Sequence, residues 1–345
     1  MALLDALTAA DEAGLYYVND ARPGTTRRKQ GKGWSYRRAD GKVIDKPKER
    51  AWIDAIAIPP AWTDVWISPV PDGHILATGR DAKGRKQYRY HPRWREVRDG
   101  NKYHRMADFG EALPRIRTRL DEDLSRRGLP RDKVLGAVVH LLDETLIRIG
   151  NAEYAEENDS YGLTTLQDDH VTIEGSLVQL EFRAKSGVEQ EVELRDRRLA
   201  KIVKACQDLP GEELFQYLDD DGEVVDVSSG DVNEYLRSVT GGSFTAKDFR
   251  TWGGSITAAE TLVDLGAPTS ATDAKKKIVA AIDVAADRLG NTRTVCRSCY
   301  VHPRVTETYE DGTLLKAFDK AEEGDGLSHS EVAVLAVLRT GQSAG

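Results

Sequence analysis

Near residue 100 the apolar period of this chain changes, and that change constrains its fold more than any other feature. Before it, apolar residues come in short strand-like pieces: Ala55-Ile56-Ala57-Ile58, Val65-Trp66-Ile67 and His74-Ile75-Leu76-Ala77. Pro and Gly punctuate them. Five of the six tryptophans precede residue 95, which predicts a small β-rich unit with an aromatic core. Residues 1–20 read as a short amphipathic helix followed by a strand-like Leu15-Tyr16-Tyr17-Val18. After the change the period is helical. Leu113, Ile116, Leu120 and Leu124 keep one face; Val134, Val138, Leu141, Leu142, Thr145 and Ile149 keep another. Pro130 is expected to start that second helix and Gly150 to end it. Between Thr164 and Val192 the period shortens again. Val171-Thr172-Ile173, Leu177 to Phe182 and Val188 to Leu194 read as three antiparallel strands, with Lys185-Ser186-Gly187 as a hairpin turn. From Arg197 helices return, through 231–240, 245–265, 271–289 and 328–339. The reading is an α+β chain: a β-rich domain over 1–100, a hinge at Asp99-Gly100-Asn101, and a mainly α domain over 101–345 with one three-stranded sheet.

The 345 residues suffice for two domains, and 40% apolar content suffices for their cores. No charged start leads into an apolar run, and no apolar stretch approaches membrane-spanning length. Three cysteines argue against a disulfide framework and for a reducing, cytoplasmic setting. The net charge of −8 hides an asymmetry. Residues 22–105 hold 21 Lys and Arg against nine Asp and Glu, whereas everything after residue 106 holds 28 against 44. The basic segment suits a polyanionic partner, and equally a solvated charged surface. In the acidic remainder, contact with a polyanion needs individually placed cations.

Several chemistries lack their residues. No His, Cys, Asp or Glu cluster has metal-ligand spacing, and Cys296-Arg297-Ser298-Cys299 has no second pair to complete a zinc site. No glycine-rich phosphate loop implies ATP. Asp219-Asp220-Asp221-Gly222 lacks the spacing of a calcium loop and reads as an acidic turn. What remains is a set of polar residues at element ends. Arg148 lies in Leu146-Ile147-Arg148-Ile149-Gly150-Asn151 at an expected helix end, and Lys185 at the hairpin tip. Arg250 lies between Phe249 and Thr251-Trp252, Asn291 after Leu289-Gly290, and Tyr300 in Cys299-Tyr300-Val301-His302-Pro303. Singly, each has an ordinary structural explanation, such as an Arg complementing a helix dipole or a half-buried Tyr.

In this order they resemble the active site of type IB DNA topoisomerases of the poxvirus and bacterial kind. The resemblance extends to Ile58-Pro59-Pro60-Ala61-Trp62, to Thr78-Gly79-Arg80-Asp81-Ala82-Lys83-Gly84-Arg85-Lys86-Gln87-Tyr88-Arg89-Tyr90-His91, and to Arg148-Ile149-Gly150 with Tyr154 six residues on. It continues through Tyr161-Gly162-Leu163-Thr164-Thr165-Leu166, Phe182-Arg183-Ala184-Lys185-Ser186-Gly187, Lys247 with Arg250-Thr251-Trp252, and Leu289-Gly290-Asn291. It implies the catalytic core shared with tyrosine recombinases. It implies relaxation of supercoiled duplex DNA through a 3′-phosphotyrosyl bond to Tyr300, without ATP, metal or other cofactor. Arg148 and Arg250 would clamp the non-bridging phosphate oxygens with forked hydrogen bonds, and Lys185 would protonate the departing 5′-oxygen. The family usually carries His where this chain has Asn291. An amide donates a hydrogen bond but cannot act as a base. Lys247, Tyr154, Arg80, Arg85, Lys86, Gln87, Tyr88 and Tyr90 would contact the DNA, the last three on a strand approaching the major groove. Strand alternation would put Tyr88 and Tyr90 on one face and Gln87 and Arg89 on the other. The partner would be duplex DNA, the chain a clamping monomer associated with the nucleoid.

Two rival functions use the same residues differently. Tyrosine recombinases commonly have His-x-x-Arg at the second arginine and a helical clamp. This chain has Lys247-Asp248-Phe249-Arg250 and a β-rich, Trp-rich clamp. A non-catalytic duplex-binding protein of the same fold would not need Arg148, Lys185, Arg250 and Tyr300 together.

Overall fold

The structure is a computed structural model describing residues 10–342 except 12, 32, 153, 154, 157 and 158. The amphipathic helix expected near the start falls mostly outside these residues, as does Tyr154. The chain folds as two units, Met1–Tyr103 and His104–Gly345.

The first unit is built on a five-stranded antiparallel sheet. Its strands are β1 (Thr25–Gln30), β2 (Gly33–Arg37), β3 (Thr63–Ile67), β4 (Ile75–Arg80) and β5 (Lys86–Tyr90), in the order β2-β1-β3-β4-β5. Gly31, at φ +58°, makes the tight β1–β2 turn that a residue with a Cβ resists. Ala55 to Ile58 are not a strand. Helix α1 (Pro47–Ala55) ends where they begin, with proline in its first turn and Ile53 buried in the sheet core. Ile53 and Ile56 join Tyr36, Ile44, Val65, Ile67 and Ala77 in that core, and Trp34, Trp52 and Trp62 pack around it half-buried. Leu15 to Val18 form only an isolated bridge, Tyr16 to Gly73.

In the second unit, helix α2 (Pro92–Leu124) begins before the unit boundary and runs through Asp99-Gly100-Asn101, so the expected hinge is helical. Turn-forming residues there are overridden by the helix on either side. Leu113, Ile116, Leu120 and Leu124 are all buried, as their period predicts. Helix α3 (Arg131–Thr145) ends four residues earlier than its apolar period suggests. Leu146 takes a left-handed conformation at φ 56° and its N–H bonds back to Leu142. Residues after it run on extended, so Arg148 stands beyond the helix rather than at its end.

The three-stranded sheet is present as β6 (Val171–Glu174), β7 (Leu177–Ala184) and β8 (Val188–Arg195), joined between β7 and β8 by a 3-10 turn at Lys185–Gly187. Helix α4 (Arg197–Gln207) follows, N-capped by Asp196. Strands β9 (Gln216–Leu218) and β10 (Val224–Asp226) form a hairpin whose turn holds the acidic run. Next come α5 (Ser229–Thr240), α6 (Ala246–Asp264), α7 (Ala271–Arg288), α8 (Arg293–Cys299), α9 (Pro303–Glu310), α10 (Thr313–Lys320) and α11 (His329–Gln342). Helix α6 is the axis of the bundle. Phe249, Trp252, Ala258, Ala259 and Leu262 bury several sides of it, as expected for a central helix.

Candidate active site

The site assembles where helices end. Arg148 lies on the extended segment after α3, which is pinned by a second backbone. Leu163 donates to the Arg148 carbonyl at 2.9 Å, and Thr164 donates to Ile149 from its N–H at 2.7 Å and its hydroxyl at 2.9 Å. Gly162 allows this approach, because a Cβ there would come within 2.6 Å of the Arg148 carbonyl. The Tyr161-to-Leu166 segment therefore serves to hold Arg148. Its other end joins β7 through a 2.8 Å bond from Tyr161 to Arg183.

Arg250 sits in the second turn of α6 and is only 3% exposed. Its Nη1 donates to the Leu146 carbonyl and its Nη2 to the Leu289 carbonyl at 2.8 Å, while its Nε has no partner. Those carbonyls lie just past the ends of α3 and α7. Gly290 closes α7 at φ +57°, and Asn291 donates back to Ala286 in the six-to-one bond of a glycine-terminated helix. Arg148 Nη2 donates to the Gly290 carbonyl at 2.9 Å and to Asn291 Oδ1. Two helix C-termini, each carrying partial negative charge, thus face two guanidiniums held close together. Burial pushes the Arg250 pKa down, Arg148 pushes it further down, and the Tyr300 phenol opposes both. The helix-end carbonyls that accept from Arg250 offset part of that penalty. With Oδ1 taken by Arg148, the Asn291 amide NH₂ is buried with no partner.

Tyr300 caps the short helix α8, and its ring centroid lies 5.1 Å from the Arg250 guanidinium carbon. Its backbone is held by α6. Ser255 Oγ accepts from the His302 N–H at 2.9 Å, donates to the Thr251 carbonyl at 2.8 Å and lies 3.4 Å from the Tyr300 carbonyl. A Cβ on Gly254 would lie 2.8 Å from that carbonyl and 3.3 Å from Tyr300 Cβ. Gly254 and Ser255 are site residues that the sequence reading passed over, as are the carbonyls of Leu146, Leu289 and Gly290. The available signal was the Gly253-Gly254 pair inside a helical pattern, which favours a close packing contact. Lys185 is exposed on the β7–β8 turn, and Lys247 is exposed in the first turn of α6. The β8 strand reaches the site through Gln190, whose amide lies 3.6 Å from the position of a Gly290 Cβ.

Residues 91–323 match the family model of the eukaryotic DNA topoisomerase I catalytic core, and residues 33–81 match that of the bacterial DNA topoisomerase IB N-terminal domain. The chain belongs to the type IB DNA topoisomerases. It is 31% identical to DNA topoisomerase 1B of Acanthamoeba polyphaga mimivirus over 295 residues, covering 84% of this chain and 88% of that one. It is 26% identical to the vaccinia virus (strain Copenhagen) DNA topoisomerase 1B over 260 residues, 74% of this chain and 78% of the viral enzyme. With DNA topoisomerase 1 of Schizosaccharomyces pombe it shares 28% over 193 residues, 54% of this chain and 21% of the yeast protein. The two family matches divide along the chain as its β-rich and α-rich parts do.

In the first unit of this topoisomerase, the six expected DNA-contact residues lie on or beside β5. Tyr88 and Tyr90 stack with centroids 5.7 Å apart, so they share a face, and Tyr88 is 40% exposed. Arg85 and Gln87 both turn onto Asp81, at 2.9 and 3.0 Å. Arg80 donates to the Gly84 carbonyl at 2.8 Å, and Lys86 pairs with Asp20 at 2.7 Å. Arg89, on the face opposite Tyr88, bonds the Ala57 carbonyl at 2.8 Å.

Proposed function

We propose that this type IB topoisomerase relaxes supercoiled duplex DNA by cutting and resealing one strand through a 3′-phosphotyrosyl bond to Tyr300. The observation that carries the reading is the convergence of Arg148, Arg250 and Asn291 on the helix ends beside Tyr300. The Tyr300 oxygen attacks the scissile phosphorus, the bond to the 5′-oxygen breaks, and the 3′ side stays joined to the enzyme. Extra negative charge on the non-bridging oxygens meets the remaining donors of the two guanidiniums and the unpartnered Asn291 NH₂. Each donor supplies about 2.7–4 kcal/mol if it behaves as one oxyanion-hole donor does. Tyr300 gives up its proton to solvent water, and the 5′-oxygen takes one from Lys185. Reversal undoes both transfers, so the strand reseals without ATP.

Lys185 is exposed at a hairpin tip, so delivering its proton requires the hairpin to close on bound DNA. Lys247, three residues before Arg250, supports the phosphate or the same proton transfer. Tyr154 and the β5 residues contact the duplex, and the acidic partners of Arg85, Gln87 and Lys86 give way to phosphate. The protein acts as a monomer clamped on DNA, in the cytoplasm with the nucleoid. Relaxation of a negatively supercoiled plasmid, with EDTA present and ATP absent, tests the proposal. Activity with EDTA is expected; absolute dependence on a divalent ion or on ATP overturns it.

A further inference from the structure

A charged network behind the clamp joins α2 and α11 to α3 and α6, at positions close in sequence to the two arginines. Arg117, on α2, donates to Asp143 of α3 at 2.8 and 3.2 Å and to Glu331 of α11 at 2.8 and 2.9 Å. Glu331 is 7% exposed and accepts a 3.0 Å bond from the Trp252 indole. The Trp252 ring fits against α2 only because Gly110 has no Cβ; one built there would lie 2.4 Å from the ring. Asp143 comes three residues before Leu146, whose carbonyl holds Arg250, and five before Arg148. Trp252 comes two residues after Arg250. The network therefore braces both backbones entering the clamp, and it does so from behind the residues proposed to meet the phosphate.

We infer that Glu331, through Arg117–Asp143 on one side and Trp252 on the other, is a positioning residue that holds the Arg148–Arg250 clamp at its working spacing. The Glu331 carboxylate also accepts from the Ser328 N–H at 2.9 Å in the cap of α11, a local role that needs neither Arg117, Asp143 nor Trp252. A purely structural link between four helices could be apolar, because a buried ion pair is weak evidence for stability. Ionic and indole hydrogen bonds instead fix distance and direction. A displacement of about 1 Å at a reacting centre can slow a reaction on the order of 10²-fold. The inference rests on the proposed role of Arg148 and Arg250.

The test compares single-turnover cleavage of two duplexes, one with an ordinary scissile phosphate and one with a methylphosphonate there. The methyl group removes the negative charge that the clamp neutralises, so damage to the clamp matters less on the second duplex. Glu331→Gln and Trp252→Phe are the variants: the first keeps side-chain size and removes the charge, the second keeps an aromatic ring but removes the indole N–H and some volume. The network borders an open cleft of about 580 Å³ in which a stranded charge can hydrate, so both variants are expected to fold. Each should cleave the phosphate duplex about 10-fold to 10²-fold more slowly than wild type, bind it with unchanged affinity, and lie within about 3-fold of wild type on the methylphosphonate. Arg250→Ala is the control for the underlying reading. If its deficit is equal on both duplexes, the clamp itself is misassigned. If Arg250→Ala recovers on the methylphosphonate, an equal deficit for Glu331→Gln on both duplexes, or wild-type cleavage by both network variants, overturns the inference and leaves the clamp standing.

Discussion

Asn291→Asp separates stability from catalysis at a single atom. The substitution preserves shape and keeps an oxygen where Asn291 Oδ1 accepts from Arg148. It removes the buried NH₂ that has no partner in the resting protein. An unsatisfied buried donor costs about 1–3 kcal/mol, and a hydrogen bond to a charged acceptor contributes about 1 kcal/mol more than one to a neutral acceptor. Set against the burial of a carboxylate beside Arg148, the thermal midpoint should stay level or rise. Catalysis should move the other way. Losing one transition-state donor costs about 2.7–4 kcal/mol, which at 1.36 kcal/mol per decade is on the order of 10²–10³-fold in rate. The new anion facing the phosphate adds to the deficit. Rates come from rapid mixing of excess enzyme with an end-labelled duplex, followed by denaturing gels of the covalent adduct; stability comes from thermal melts of the same preparations. Cleavage within about 10-fold of wild type by a fully folded Asn291→Asp would refute the donor role. A marked fall in midpoint would refute the reasoning that Oδ1 is the acceptor.

Three further outcomes follow from the same geometry. Tyr300→Phe should retain duplex binding in gel-shift titrations and form no adduct resistant to denaturation; an adduct in that variant moves the nucleophile elsewhere. Lys185→Ala should cleave an ordinary duplex about 10²–10⁴-fold more slowly, yet approach wild-type rate when sulfur replaces the bridging 5′-oxygen, because a thiolate leaves without a proton. Equal deficits on both substrates would make Lys185 an electrostatic donor instead. Gly254→Ala forces a Cβ to 2.8 Å from the Tyr300 carbonyl and should destabilise by about 1–3 kcal/mol in chemical denaturation, with slowed cleavage at unchanged DNA affinity; wild-type cleavage would mean that α6 does not set the position of Tyr300.

What was legible in the sequence was chemistry carried by side chains in order. Arg148, Arg250, Asn291 and Tyr300 could be proposed together because the ordered set is specific, although no single motif is. The structure brings those four into one place. The acceptors that hold the arginines were not legible, because the Leu146, Leu289 and Gly290 carbonyls belong to the main chain and every residue has one. The end of α3 was misjudged for a related reason. Ile147 and Ile149 continue the apolar period into an extended segment that packs on the same core, and periodicity cannot register a left-handed Leu146. Ala55 to Ile58 read as strand because Ile56 and Ile58 mimic alternation, whereas proline in its first turn marks the helix that ends at Ala55. Helices α8 to α10, of seven or eight residues each, are too short for their period to be distinguished from loop.

The grip of Ser255 and Gly254 on the backbone around Tyr300 has a consequence for engineering. The tyrosine-bearing segment is held by main-chain atoms, so its placement is indifferent to which side chain stands at 300 but sensitive to what stands at 254 and 255. A chimaera that borrows a relative's terminal helices while keeping this α6 would join a donor peptide to a foreign socket. Transplanting residues 246–302 as one cassette carries plug and socket together.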